Sequence, residues 1–270
     1  MKKPELPAAQ LRLIDSLVRH FVDNQPSFNG LLNQLRSHVE VSRRLKDLAH
    51  SVKWRVKDPA HLRAKLIRKG LEARAQGIGF LYTQENLFET INDLAGFRIL
   101  HLHTRQIEEI NKELLTIFDE QQWLKLEGPK ARTWDDESRK YFNSIGIETQ
   151  KSPSMYTSVH YVVQPNSRTK LTCEIQVRTL MEEVWGEVDH QINYPVKTNS
   201  FSCEEQIKVL ARVTSSCSRL VDSIFLTYQE GMPVQALLSV ARKKQAIGAK
   251  PETKIRDYPG NVSERYPGRP

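Results

Sequence analysis

Residues 173–190 read CEIQVRTLMEEVWGEVDH, and two periods meet in them. Cys173, Ile175 and Val177 alternate with Glu174, Gln176 and Arg178, the period of two of a strand with one face in a core. From Leu180 the period changes. Leu180, Val184 and Val188 stand four apart with Met181 and Trp185 beside them, which predicts a helix with an apolar stripe turned to the core. Thr179 is placed to cap that helix, and Glu182 follows at the capping-box spacing. A strand thus feeds directly into a helix and carries Glu, Gln and Arg on one face. A carboxylate on so rigid a platform is positioned to hold a metal or take a proton. The same pattern also describes a solvated, charged sheet face.

The 270 residues around this stretch allow one large domain, or a medium one with helical extensions. Hydrophobic residues at 39% and charged residues at 27% give a globular balance, and the net charge of +8 favours polyanionic partners. Cys173, Cys203 and Cys217 lie far apart with no zinc spacing, so they read as buried or incidental thiols in a reducing compartment. No run approaches a membrane span and no apolar segment follows the N-terminal lysines, so the expected compartment is the cytoplasm.

Upstream, residues 11–22 carry a helical stripe, Asn24 to Pro26 breaks it, and Ser27 is placed to cap a second helix. Trp54 and Val56 alternate with Lys53, Arg55 and Lys57 as a short strand. Asp58 and Pro59 then start a helix on which Lys65, Arg68 and Lys69 are neighbours. Arg55, Lys57, Lys65, Arg68 and Lys69 together suit a triphosphate, and equally a solvated basic face. Gly77 and Gly79 mark a loop without the spacing of a Walker-type phosphate loop. Phe97, Ile99 and Leu100 form a strand with Asp93 and Arg98 near its start, and residues 104–123 form a helix over the sheet.

Residues 127–144 are polar and read as loop-rich. Residues 155–163 alternate as a strand with Tyr156, Ser158 and His160 on one face, and residues 170–177 return as the next strand. The order is β-α-β-loop-β-turn-β-α, a mixed sheet with helices packed on it. Residues 204–228 form a long helix, residues 234–242 a short helical piece, and residues 245–270 a Pro-rich basic tail without period that is expected to be disordered.

Five of these motifs occur in an order that resembles the synthetase domain of the RelA/SpoT family. They are Arg55-Val-Lys57, Lys65 with Arg68-Lys69, Asp93-Leu-Ala-Gly-Phe-Arg98, Tyr156-x-Ser158-x-His160, and Glu174-Ile-Gln-Val-Arg-Thr179 with Trp185 and His190. The resemblance covers roughly residues 40–195. It implies an α+β, nucleotidyltransferase-like mixed sheet flanked by helices. Residues 1–40 would be an N-terminal helical extension, 41–195 the synthetase-like domain, 196–244 a C-terminal helical extension and 245–270 the tail.

The activity implied is transfer of pyrophosphate from ATP to the ribose 3′-hydroxyl of GDP or GTP, with Mg²⁺ and with AMP leaving. In that resemblance Arg55 and Arg98 sandwich adenine, while Lys57, Lys65 and Arg68 hold the ATP phosphates. Asp93 binds Mg²⁺, and Glu174 assists the metal or acts as base. Tyr156 stacks on guanine, and His160, Gln176 and Lys151 lie at the acceptor nucleotide. The chain departs from the family's Gly-Tyr-Arg-Ser run with Met155-Tyr-Thr-Ser, and Lys151 is one residue off the usual lysine. Both departures are expected to fall at the acceptor site. Small members of the family often assemble through terminal helices, which makes 204–228 the candidate interface of a homo-oligomer. Two competing readings are a toxin that pyrophosphorylates the 3′ end of tRNA, and a silent nucleotide- or RNA-binding module.

Overall fold

The structure is a computed structural model that describes residues 6–193 and 197–230. The expected helical piece at 234–242 and the tail at 245–270 lie outside the described residues. The chain divides into two compact units, residues 1–225 and 226–270, and the sheet belongs to the first.

Six strands form one mixed sheet in the order β1-β2-β6-β5-β3-β4. β1 (Ser51–Val56) runs antiparallel to β2 (Ala95–His101), and β2 runs parallel to β6 (Cys173–Thr179). β5 (Ser158–Gln164) is antiparallel to both β6 and β3 (Leu124–Thr133), and β4 (Glu148–Lys151) closes the edge parallel to β3. The core lies against the face that carries Phe97, Ile99, Val159, Tyr161, Ile175 and Val177. Ile107, Ile110, Leu114 and Phe118 of α5 (Gln106–Glu120) join that core, as the sequence pattern required.

The first 41 residues differ from the expectation. α1 (Ala8–Val41) continues through Pro26 as one helix, because Phe21 and Phe28, seven residues apart, stay on one buried face across it. The break comes instead at Ser42, whose hydroxyl accepts from the Leu45 N–H at 3.1 Å and caps α2 (Arg43–Leu48). Asp58 caps α3 (Pro59–Ala75) as expected, accepting from the His61 N–H at 3.0 Å.

The stretch expected to be loop-rich holds the second half of β3 and all of α6 (Asp136–Ser144), so the sheet has two more strands than the alternation indicated. β3 is hard to read because its register slips twice around Gly128-Pro129. Gly128 has φ +92°, and a Cβ there would lie 2.2 Å from the His160 carbonyl oxygen, so only glycine fits beside β5.

Two helices also turn out differently. In α7 (Leu180–Asn193) the buried residues are Glu182, Glu183 and Trp185, whereas Val184, on the expected stripe, is 52% exposed. In α8 (Phe201–Glu230), whose apolar positions are expected to pack on the core or on a partner subunit, Ile207 and Ala211 are buried beside Thr214, Ser215 and Ser218, while Val213, Leu220 and Ile224 face outward. In both helices the buried polar groups have partners inside. Glu183 meets arginines of the sheet, and Ser218 meets Thr179 Oγ1 at 3.2 Å.

Candidate active site

Pairing places the site residues before any side chain is considered. Glu174 and Gln176 of β6 stand opposite Gly96 and Arg98 of β2, and opposite Val162 and His160 of β5. Arg55 of β1 stands opposite Gly96. In an antiparallel pair Arg55 and Arg98 are then diagonal neighbours, about 7–8 Å apart. Both line the cavity over Gly96, and guanidinium planes are groups that stack on flat rings. Gly96 has no side chain to fill it, and a Cβ there would touch Arg55 Cγ at 3.9 Å.

Two adjoining cavities, of about 380 and 420 Å³, open over this face. Arg55, Arg98, Glu174, Gln176 and Glu187 line both. Asp93, in the short 3-10 turn before β2, lines the first. Tyr156, His160, Arg132 and Arg178 line the second. Beyond Tyr156 the surface continues into a further recess walled by Arg132, Gln150, Lys151, Ser152 and Ser154.

Lys57 Nζ and Lys65 Nζ each lie 2.8 Å from a different Asp93 oxygen. Burial pushes the Asp93 carboxyl up, but the two ammonium groups outweigh it and hold the group below its ordinary value. Glu174 accepts from His160 Nδ1 at 3.0 Å and from Gln176 Nε2 at 3.3 Å. Its burial is likewise outweighed, chiefly by the His160 contact, so the carboxyl sits below its usual range. An ionised carboxylate can only accept, which fixes the proton on His160 Nδ1.

Asp93 is near enough to Glu174 for its charge to disfavour the ionisation of Glu174. Two carboxylates are the hard oxygen donors that a Mg²⁺ ion takes. Among the described residues no set of three His, Cys, Asp or Glu is grouped to hold a metal unaided.

α7 backs the arginines. Arg98 Nη1 is 2.7 Å from Glu183 and 2.7 Å from Glu187, and Lys53 Nζ is 2.8 Å from Glu183. Arg178 Nη2 meets the other Glu183 oxygen at 2.5 Å. Burial raises the Glu183 carboxyl, but Lys53, Arg178 and Arg98 bring it down to about 2. Gly186 leaves room for this arrangement, since a Cβ there would lie 2.5 Å from Arg178 Nη1. The Arg178 guanidinium carbon sits 5.6 Å from the Tyr156 ring centroid, and the Trp185 ring lies 6.3 Å away.

The expected residues do not all converge. Arg68 is exposed and paired with Glu72 on its own helix at 2.9 Å, and Lys69 also pairs with Glu72. Lys151 lies in the outer recess rather than against His160. Tyr156 precedes β5 instead of lying in it, though its ring still meets His160 at 5.6 Å. Thr157 points to the opposite side, where its hydroxyl lies 3.0 Å from Thr133 Oγ1. Thr157, one of the residues by which the run around Tyr156 departs from the family's, does not line the cavity that Tyr156 lines. Arg132, Glu183 and Glu187 were not singled out from the sequence, and Arg178 was placed on the polar face of its strand without a role at the site. Arg132 had one available signal, its alternation with Lys130 at the end of β3.

A family model described as a region found in RelA / SpoT proteins matches residues 54–199. Small alarmone synthetase 1 from Bacillus subtilis bound to pppGpp matches at 24% identity over 80% of this chain and 97% of its own, with a TM-score of 0.51. The same protein bound to AMPCPP matches at 21% identity, 79% and 98% coverage and a TM-score of 0.50. Small alarmone synthetase 2 from Bacillus subtilis matches at 17% identity, 77% and 97% coverage and a TM-score of 0.54. No curated protein sequence matches significantly. At these identities the structural likeness speaks for the fold.

Proposed function

This chain belongs to the RelA/SpoT family, and from that premise we propose that it is a (p)ppGpp synthetase that transfers pyrophosphate from ATP to the 3′-hydroxyl of GDP or GTP. The observation that carries the reading is one charged wall. Asp93 and Glu174 share it with the stacking pair Arg55 and Arg98, and Lys57 and Lys65 reach it through Asp93. Related structures agree, since small alarmone synthetase 1 was captured with AMPCPP and with pppGpp.

In this reading adenine lies between Arg55 and Arg98, while Lys57 and Lys65 carry the triphosphate; Arg68, paired with Glu72, would have to leave that partner to reach it. The acceptor base stacks on Tyr156, braced by Arg178, with His160, Gln176 and Lys151 along its path. The 3′-hydroxyl gives up its proton to solvent water as its oxygen bonds to the β-phosphorus, the bond to the α–β bridging oxygen breaks, and AMP leaves with that oxygen. Mg²⁺ held by Asp93 and Glu174 would neutralise charge on the transferring group. The depressed Glu174 carboxyl is a poor base at neutral pH, so its part is to orient and hold. Such transfer is mainly positioning and charge stabilisation, which this wall is built to supply.

The second reading keeps the chemistry and changes the acceptor to the 3′ end of tRNA. The recess of Arg132, Lys151 and Gln150 beyond Tyr156 favours it, as does the net charge of +8. Labelled ATP with Mg²⁺ and, separately, GDP, GTP or deacylated tRNA tests both. Label on GDP or GTP with AMP released is the expected result, and label on tRNA alone selects the second reading. Label on none of them removes both. Val209, Val213, Leu220 and Ile224, exposed along α8, are the proposed contact of a homo-oligomer, which light scattering at graded concentration would detect.

A further inference from the structure

All four oxygens of the two site carboxylates are already engaged. Asp93 Oδ1 is 2.8 Å from Lys65 Nζ, and Asp93 Oδ2 is 2.8 Å from Lys57 Nζ. Glu174 Oε1 faces His160 Nδ1, and Oε2 faces Gln176 Nε2. The two lysines are well-buried cations beside the wall, with side-chain exposures of 13% and 24%. They reach Asp93 from different elements, Lys57 from the end of β1 and Lys65 from α3. Asp93 and its two partners therefore carry a net charge of +1.

We propose that Lys57 and Lys65 close Asp93 to a free divalent cation, so that the site takes its metal only together with a nucleoside triphosphate. The inference rests on the reading of this wall as a nucleotide site. A bare cation would have to displace two ammonium groups from the anion they share, and would then sit beside them. A metal–triphosphate complex resolves this in one exchange. The phosphate oxygens receive the two ammonium groups, and Asp93 is released to the metal. No proton moves, and the excess positive charge of the resting cluster is taken up by the phosphate oxygens. The lysines thus serve as stand-ins for the metal in the resting site and as phosphate ligands in the loaded one. Free Mg²⁺ at cellular concentration would leave the resting site unchanged, and metal and nucleotide would bind with strong positive coupling.

Equilibrium dialysis of the full chain against Mn²⁺, with and without the α,β-methylene analogue of ATP, tests this without turnover. Wild type is expected to retain about one Mn²⁺ per chain with the analogue, and to bind Mn²⁺ alone at least tenfold more weakly. The Lys57→Met, Lys65→Met double variant is expected to retain Mn²⁺ without the analogue, and to lose that metal when Asp93→Asn is added. Retention by wild type of Mn²⁺ alone as tightly as with the analogue overturns the proposal, and needs no variant to fold. A folded double variant with no gain in Mn²⁺ binding overturns it as well. If the analogue brings no metal to wild type at any concentration, the nucleotide reading itself fails, which is a different result from metal bound without it.

Discussion

Replacing Glu182 with glutamine should flatten the pH dependence of stability between pH 6.5 and 8, where the parent chain loses stability. Glu182 is 7% exposed and lines a small internal cavity on the side of the sheet away from the site. The charged or titratable groups facing it are Arg178 from β6, His101 at the end of β2, Asp135 at the start of α6 and Arg219 from α8. Burial pushes its carboxyl up to about 8; Arg178 and Arg219 pull the other way without prevailing, and Asp135 adds to the rise. In the unfolded chain it ionises near 4.5. Between those values the folded state holds a proton that the unfolded state has released, so stability falls as pH rises, by at most about 1.4 kcal/mol per pH unit.

His101 works in the opposite sense. Burial depresses it from 6.5 to about 4, so its effect is a gain of stability as pH rises across that range, complete by 6.5. His103 and His190 are lowered in the same direction, burial again being the main cause. Below pH 6.5 these gains oppose the Glu182 loss, and above it Glu182 stands alone for about 1.5 pH units, or about 2 kcal/mol. For a chain of this size that is about 4–8 °C in Tm. Thermal melts of the parent and Glu182→Gln at pH 6.5, 7.2 and 8 should diverge by that amount, with the variant ahead. Parallel curves would refute the reasoning, because they would mean that Glu182 is ionised in the folded state and held by Arg178 or Arg219.

Asp93→Asn or Glu174→Gln should lower turnover by at least 10³-fold with a nearly unchanged melt, since each group lines an open cavity; normal activity in either would remove it from the site. Gly186→Ala places a methyl group against the Arg178 guanidinium and should raise KM for the acceptor several-fold more than KM for ATP. Tyr156→Ala should also weaken acceptor use more than ATP use, by about 10–100-fold, matching a stacked base at about 1–3 kcal/mol; equal losses in both would assign Tyr156 to packing with Trp185.

The sheet was legible wherever the sequence of a strand alternates, whether or not its burial does, since β1 has no buried position and β5 is buried along its whole length. β1, β2, β5 and β6 alternate cleanly, and the residues they align, Arg55, Arg98, His160, Glu174 and Gln176, were found from the sequence. β3 was not legible because glycine, proline and two register slips erase its period. The direction of a cation was not legible either. Lys65 and Arg68 share a helix face, yet one reaches Asp93 across 28 positions and the other folds back onto Glu72. Spacing brings both to one surface, but only the fold decides which acid is in reach.

The inversion of α7 joins these observations. A stripe of Leu180, Val184 and Val188 predicts which way a helix faces when its other residues have no partner inside. Here Glu183 has three, Lys53, Arg98 and Arg178, drawn from β1, β2 and β6. Burying an unpaired carboxylate would be prohibitive, whereas one enclosed by three cations ionises readily even at low pH. The helix therefore turns its acids to the sheet and leaves Val184 in solvent. The same contacts fix Arg98 beside the first cavity and Arg178 over Tyr156 in the second. A single glutamate thus ties together the arginines proposed to meet the two nucleotides. Its loss should loosen both halves of the site together, an outcome that substitution at Arg98 or Arg178 alone would not reproduce.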